Sequence, residues 1–166
     1  MPPWSKPLEV DRLAEAAAEV DFTIPLAELS ALRSVRAEIG GEVHGRVRFG
    51  RERELAIAQV SLRGVATLEC QRCMQPMELP LETVTRVALV SSAAEAGRVS
   101  EDLEPVLAVD GRISIGQLIT EELLLMLPIV PLHEGGSACA SAPATAVEQG
   151  PETHRPFARL GELLKR

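Results

Sequence analysis

Residues 55–90 read LAIAQVSLRGVATLECQRCMQPMELPLETVTRVALV, and this stretch decides the fold. Ahead of the cysteines, Ile57, Val60 and Leu62 lead into Val65-Ala66-Thr67-Leu68-Glu69. Beyond them, Met77, Leu79, Leu81, Val84, Val87 and Leu89 carry the chain away again. β-Branched and aliphatic residues at this spacing favour extended backbone packed on a half-buried sheet. Between the two runs lies Cys70-Gln71-Arg72-Cys73, followed by Gln75-Pro76, a turn signal. Two antiparallel strands joined by a turn that bears a C-x-x-C are therefore expected.

The flanking sequence extends this hairpin. From Val35 the pattern alternates every second residue (Val35, Ala37, Ile39, then Val43, Gly45, Val47), interrupted at Gly40-Gly41. It predicts a long strand bent at the glycines, or two short ones. Val10 to Val20 reads as a helix capped by Asp11, with Leu13, Ala16, Ala17 and Val20 on its apolar side. Asp21 to Ile24 follows as a brief strand, and Leu26 to Leu32 as one or two helical turns. Ser91 to Glu104 is small, polar and acidic, the composition of a mobile loop, and Val106 to Val109 is a short strand. Ser114, with Gln117 three residues on, gives a capping box ahead of the stripe Ile115, Leu118, Ile119, Leu123 and Met126. Pro128 ends that helix. Its last turns are apolar nearly all round, so they are either enclosed by the domain or covered by a partner.

The fold class expected is α+β. An antiparallel meander curls toward a partly open barrel, packed by an N-terminal helix and a helix at about 114–127. Residues 1–133 form the domain. Residues 134–153, rich in Gly, Ser, Ala and Pro, form a disordered linker. Residues 154–166 form a short amphipathic helix with Phe157, Leu160, Leu163 and Leu164 on one face. Whether that segment docks back or meets something else is left open by its pattern.

Composition narrows the function. Aromatic residues make up only 2% of the chain, which argues against modules that stack bases on exposed rings. The net charge of −7 disfavours unspecific binding to phosphate backbones. It is unevenly spread: eight arginines face five glutamates from Arg33 to Cys73, whereas nine acids face Arg112 alone from Glu101 to Glu152. An arginine face of Arg36, Arg46, Arg48, Arg51, Arg53 and Arg72 is the candidate RNA contact, and the acidic part the candidate site for a basic protein. The N-terminus lacks a signal-peptide pattern and the apolar run 123–132 is too short to span a bilayer, so no membrane is expected and a cytoplasmic location is.

In that compartment cysteines point to thiols or metal more than to a disulfide framework. One C-x-x-C supplies half a structural zinc site. The other half would come from His133 and Cys139, which have five residues between them and follow the helix that must pack on the sheet. The candidate ligand set for one zinc ion is thus Cys70, Cys73, His133 and Cys139. The alternatives are reduced, uncoordinated thiols or a thiol–disulfide switch centred on Cys70 and Cys73. A switch cysteine usually sits at a helix N-terminus, which a turn between strands does not provide. The three histidines lie in no recognisable nucleophilic setting and no glycine-rich phosphate loop is present, so no enzyme is expected.

Several collinear pieces resemble the YceD family of large ribosomal RNA subunit accumulation proteins. They are Leu68-Glu69-Cys70-Gln71-Arg72-Cys73 with Pro76, the acidic loop leading to the helix Ile115–Leu127, Leu127 to His133 followed by Cys139, and Pro156-Phe157-Ala158-Arg159-Leu160. The resemblance implies a bacterial cytoplasmic factor, without known catalytic activity, needed for normal levels of 23S ribosomal RNA. Its partner would be the pre-ribosomal particle, through 23S RNA or a large-subunit ribosomal protein. Some relatives carry further C-x-x-C pairs after the helix, whereas this chain has only Cys139 there.

Overall fold

The structure is a computed structural model, and it describes residues 2–35, 38–134 and Cys139. In chain order the elements are β1 (Leu8–Glu9), α1 (Val10–Glu15), β2 (Glu19–Pro25), α2 (Ser30–Val35), β3 (Gly40–Glu52) and β4 (Leu55–Glu69). They continue with β5 (Pro76–Val90), α3 (Ala93–Ala96), β6 (Glu104–Leu107), β7 (Arg112–Ile113) and α4 (Ile115–Met126). Five strands form one open sheet in the order β2-β3-β4-β5-β6, antiparallel throughout except for the parallel β5–β6 pair. The α+β class and the antiparallel meander are as the sequence indicated. The sheet does not close into a barrel, since β2 and β6 remain its edges.

The hairpin β4–β5 is the longest pairing, running from Ala56 opposite Leu89 to Glu69 opposite Pro76. Its alternation sorts the side chains: Ala58, Val60, Leu62, Ala66 and Leu68 are buried on the inner face, and Arg63 and Val65 are exposed on the other. Gly45 shows why β3 fits between β2 and β4 here. A Cβ at that position would meet the Leu62 Cα at 2.8 Å and the Phe22 ring at 2.9 Å. The inner face packs on α4 and the segment before β3, so Ile24, Leu26, Leu32, Val43, Val47, Val60, Ile119 and Leu123 share one core. A smaller cluster of Ile57, Ala88 and Val90 lies across the sheet, packed against Leu55, Ala96, Val99 and Leu103.

Several local expectations change, among them the strand expected at Val106 to Val109, which forms as Glu104–Leu107. The helix from Val10 ends at Glu15, because Ala17 turns the chain in the left-handed region (φ 47°) and Glu19–Pro25 pairs with β3. Pairing at seven cross-strand positions outweighs the helix preference of Ala16–Ala18, alanine being the strongest helix former. Val35 ends α2 and does not begin a strand; β3 begins at Gly40, and Gly41 (φ 90°) shapes its entry. The stretch after β5 is not loop throughout, since Ser92 caps the short α3 by accepting from the Glu95 N–H. At the end of α4, Leu123 is buried but Leu125 is 77% exposed, so enclosure stops there. The capping box of α4 forms in full: Ser114 accepts from the Gln117 N–H and Gln117 accepts from the Ser114 N–H. The expected linker (134–153, beyond Glu134 and Cys139) and C-terminal helix (154–166) lie outside the described residues.

Candidate metal centre

Six residues, 70–75, join β4 to β5, and their backbone is folded into a knuckle. Cys70 N–H donates to the Gln75 carbonyl at 3.0 Å and Met74 N–H to the Cys70 carbonyl at 2.8 Å. Met74 takes a left-handed conformation (φ 56°), which lets the chain re-enter β5 directly after the second cysteine. Both thiols are thereby turned to the same side of the turn.

The second half of the site arrives from α4. Pro128 cannot continue the helix, and the chain runs on to a fully buried Pro131 whose carbonyl accepts the Gln71 N–H at 2.9 Å. That backbone bond sets His133 beside the knuckle. The His133 Nε2 lies 3.1 Å from the Pro76 carbonyl. A carbonyl only accepts, so Nε2 carries the proton and Nδ1 presents its lone pair to the cysteines. Cys73 Sγ and Cys139 Sγ each stand 3.5 Å from Nδ1, and Cys70 Sγ stands 3.7 Å from Cys139 Sγ. All four donor atoms lie within 4.8 Å of one another, and the group can hold a metal ion.

Three of the donor separations can be set against those of a tetrahedral zinc site. Zinc bonds thiolate at about 2.3 Å and imidazole nitrogen at about 2.0–2.1 Å in a tetrahedron. The edges of that tetrahedron are then about 3.8 Å between sulfurs and about 3.6 Å from sulfur to nitrogen. The distances found, 3.7 Å and 3.5 Å, match these edges. Four protein donors would close the shell of such an ion, the arrangement of a structural site with no position left for a substrate.

The electrostatics point the same way. Burial works to raise the Cys70 thiol, but N–H groups of Arg72, His133 and Cys73 aimed at its sulfur outweigh this and hold it at about 5. Cys139 is pushed up by burial and by the neighbouring sulfurs of Cys73 and Cys70. Three sulfurs this close cannot all ionise without a cation among them. Cys70 is fully buried, which keeps its sulfur from forming a disulfide with another molecule.

The arginine face is differently placed. Arg46 donates to Asp21 at 2.6 Å and to Glu19 at 2.9 Å, Arg48 pairs with Glu19 at 2.9 Å, and Arg51 with Asp11 at 2.5 Å. Arg53 and Arg72 make no side-chain ion pair among the described residues. Arg36 lies outside the described residues. Glu19 was not foreseen as a partner, because it fell within the stretch expected to be helical. The Pro76 and Pro131 carbonyls also escaped sequence reasoning.

No helix among the described residues is long and apolar enough to cross a membrane. Comparison with known proteins bears on the whole arrangement. The profile of the family described as "Large ribosomal RNA subunit accumulation protein YceD" matches residues 58–164, a span that contains all four donors. A protein of Haemophilus influenzae with that same description is 27% identical over 165 residues, covering 95% of each chain. No solved structure matches the chain. By this match over more than half of its length, the chain belongs to the YceD family of large ribosomal RNA subunit accumulation proteins.

Proposed function

We propose that this chain is a non-catalytic, cytoplasmic factor of ribosome biogenesis, required for accumulation of the 23S ribosomal RNA of the large subunit. The observation that carries this reading is the end-to-end similarity to a relative described by that role, together with the family match over residues 58–164. Its partner in this reading is the pre-ribosomal particle, met through 23S RNA or a large-subunit ribosomal protein. Of the arginine set Arg36, Arg46, Arg48, Arg51, Arg53 and Arg72, the last two are the better RNA contacts. Arg46, Arg48 and Arg51 must first exchange a carboxylate for a phosphate.

In the same reading one zinc ion is held by Cys70, Cys73, His133 and Cys139, as a clamp and not as a catalyst. It ties the segment after α4 to the tip of the β4–β5 hairpin, across a sequence separation of 60 residues between Cys73 and His133. Support comes from the match between donor separations and a zinc tetrahedron, and from the Pro76 carbonyl that selects the Nδ1 lone pair.

Cells depleted of the protein test the reading. It expects 23S RNA to fall relative to 16S RNA, and tagged protein to sediment with large-subunit precursors. Unchanged 23S RNA on depletion would overturn it.

A further inference from the structure

The end of α4 and the groove beside it form a partly apolar surface that carries two carboxylates. Glu121 and Leu125 are four residues apart on α4 and so lie one above the other on its surface. Both are exposed, Leu125 at 77%. On the other side of Glu121 opens a groove of about 670 Å³, lined by Leu29, Val106, Leu107, Thr120, Glu28 and Glu121 among others, apolar and polar in similar measure, with no arginine or lysine among the described residues of its wall. Apolar side chains between two carboxylates ask for an amphipathic segment with basic residues beside its apolar stripe.

The chain carries one. Phe157, Leu160, Leu163 and Leu164 recur at helical spacing, and Arg155, Arg159, Lys165 and Arg166 accompany them against Glu162 alone. Its point of departure is fixed, because Cys139 stands at the metal centre next to the segment that follows α4. The path back from His133 to Glu121 is at most about 30 Å, counting extended backbone beyond α4 and 1.5 Å per residue within it. The spacer 140–153 has a root-mean-square reach of about 20 Å and a contour length near 46–50 Å, so it spans this distance. A tether of that length supplies an effective concentration on the order of millimolar. The family match runs on to residue 164 and so covers the segment as far as Leu164.

We infer that the C-terminal segment 155–166 docks on its own domain, its apolar stripe on Leu125 and in the groove between α4, α2 and β6, and its basic residues toward Glu28 and Glu121. This inference is independent of the proposed role in RNA accumulation.

Hydrogen–deuterium exchange of the full, metal-loaded chain tests it. The peptide covering 155–166 should exchange at least tenfold more slowly than a free peptide of the same sequence, at every protein concentration. That protection should vanish in Leu125→Asp and in Glu28→Lys/Glu121→Lys, whose positions are outside the central core. Leu160→Asp should in turn release protection over 117–127, while β4 and β5 exchange as before. Three results would each overturn the inference: a tail as fast as the free peptide, protection that survives both groove variants, or protection that fades on dilution. The last would assign the groove to a second copy of the chain.

Discussion

Replacing His133 with Ala probes the clamp at the donor that bridges its two halves. The imidazole stands 3.5 Å from both Cys73 and Cys139, and its other nitrogen is held by the Pro76 carbonyl. Metal that binds only the folded chain stabilises it by about 2.7 kcal/mol when free zinc is 100 times its dissociation constant. Losing one of four donors weakens affinity at least as much as losing an outer hydrogen bond to a ligand, about 10–100-fold. The residual stabilisation at the same free zinc is then about 0.4–1.4 kcal/mol, so about 1.3–2.3 kcal/mol is lost. For a chain of this size each kcal/mol moves the midpoint by about 2–4 °C, which places the variant about 3–9 °C lower. Calorimetry with and without a chelator separates this from the local cost of the missing Pro76 hydrogen bond, about 1 kcal/mol. Chelator should lower the wild-type midpoint by about 5–11 °C and that of the variant by only about 1–6 °C. A wild-type midpoint indifferent to chelator would refute the reasoning, because the four donors would then hold nothing.

Other consequences concern the scaffold. Leu123→Ala empties a fully buried position on α4 and should cost about 2–5 kcal/mol in urea unfolding; a loss under 1 kcal/mol would mean that α4 does not pack as described. Ser114→Ala removes one half of the capping box and should cost about 1 kcal/mol, with the slope of the denaturant transition unchanged. The Asp21 carboxyl is held below its ordinary value of 3.8, chiefly by the hydrogen bond from Arg46. Its contribution is therefore complete above that value and disappears as pH falls through the lowered one. Since the pair is exposed the effect is small, and Asp21→Asn should narrow the difference in thermal midpoint between pH 6 and pH 2. An unchanged difference would contradict the pairing.

The hairpin was legible because Leu55–Glu69 and Pro76–Val90 alternate and neither run is interrupted by turn residues strong enough to end a strand. The capping box fixed the start of α4 in the same direct way, since Ser114 and Gln117 act on each other over one turn. Elements decided by distant partners were harder to read. Val20 extends the apolar spacing of a helix, and only the pairing of Glu19 and Val20 with Arg48 and Val47 makes them strand. The parallel partnership of β5 with β6 rests on four pairs, Val87 with Glu104 to Val90 with Leu107, and no local pattern encodes it. For the candidate site, the cysteine pair announced itself by spacing. The interval from His133 to Cys139 has no standard form, so that their meeting depends on the Gln71–Pro131 bond, a backbone contact between distant segments.

X-ray absorption at the zinc edge of purified full-length protein tests the clamp most directly. The account predicts one zinc per chain, with three sulfurs at about 2.3 Å and one nitrogen at about 2.0–2.1 Å, and one sulfur fewer in Cys139→Ser. A chain that purifies without metal under reducing, chelator-free conditions, or a zinc shell of oxygen and nitrogen alone, would contradict it.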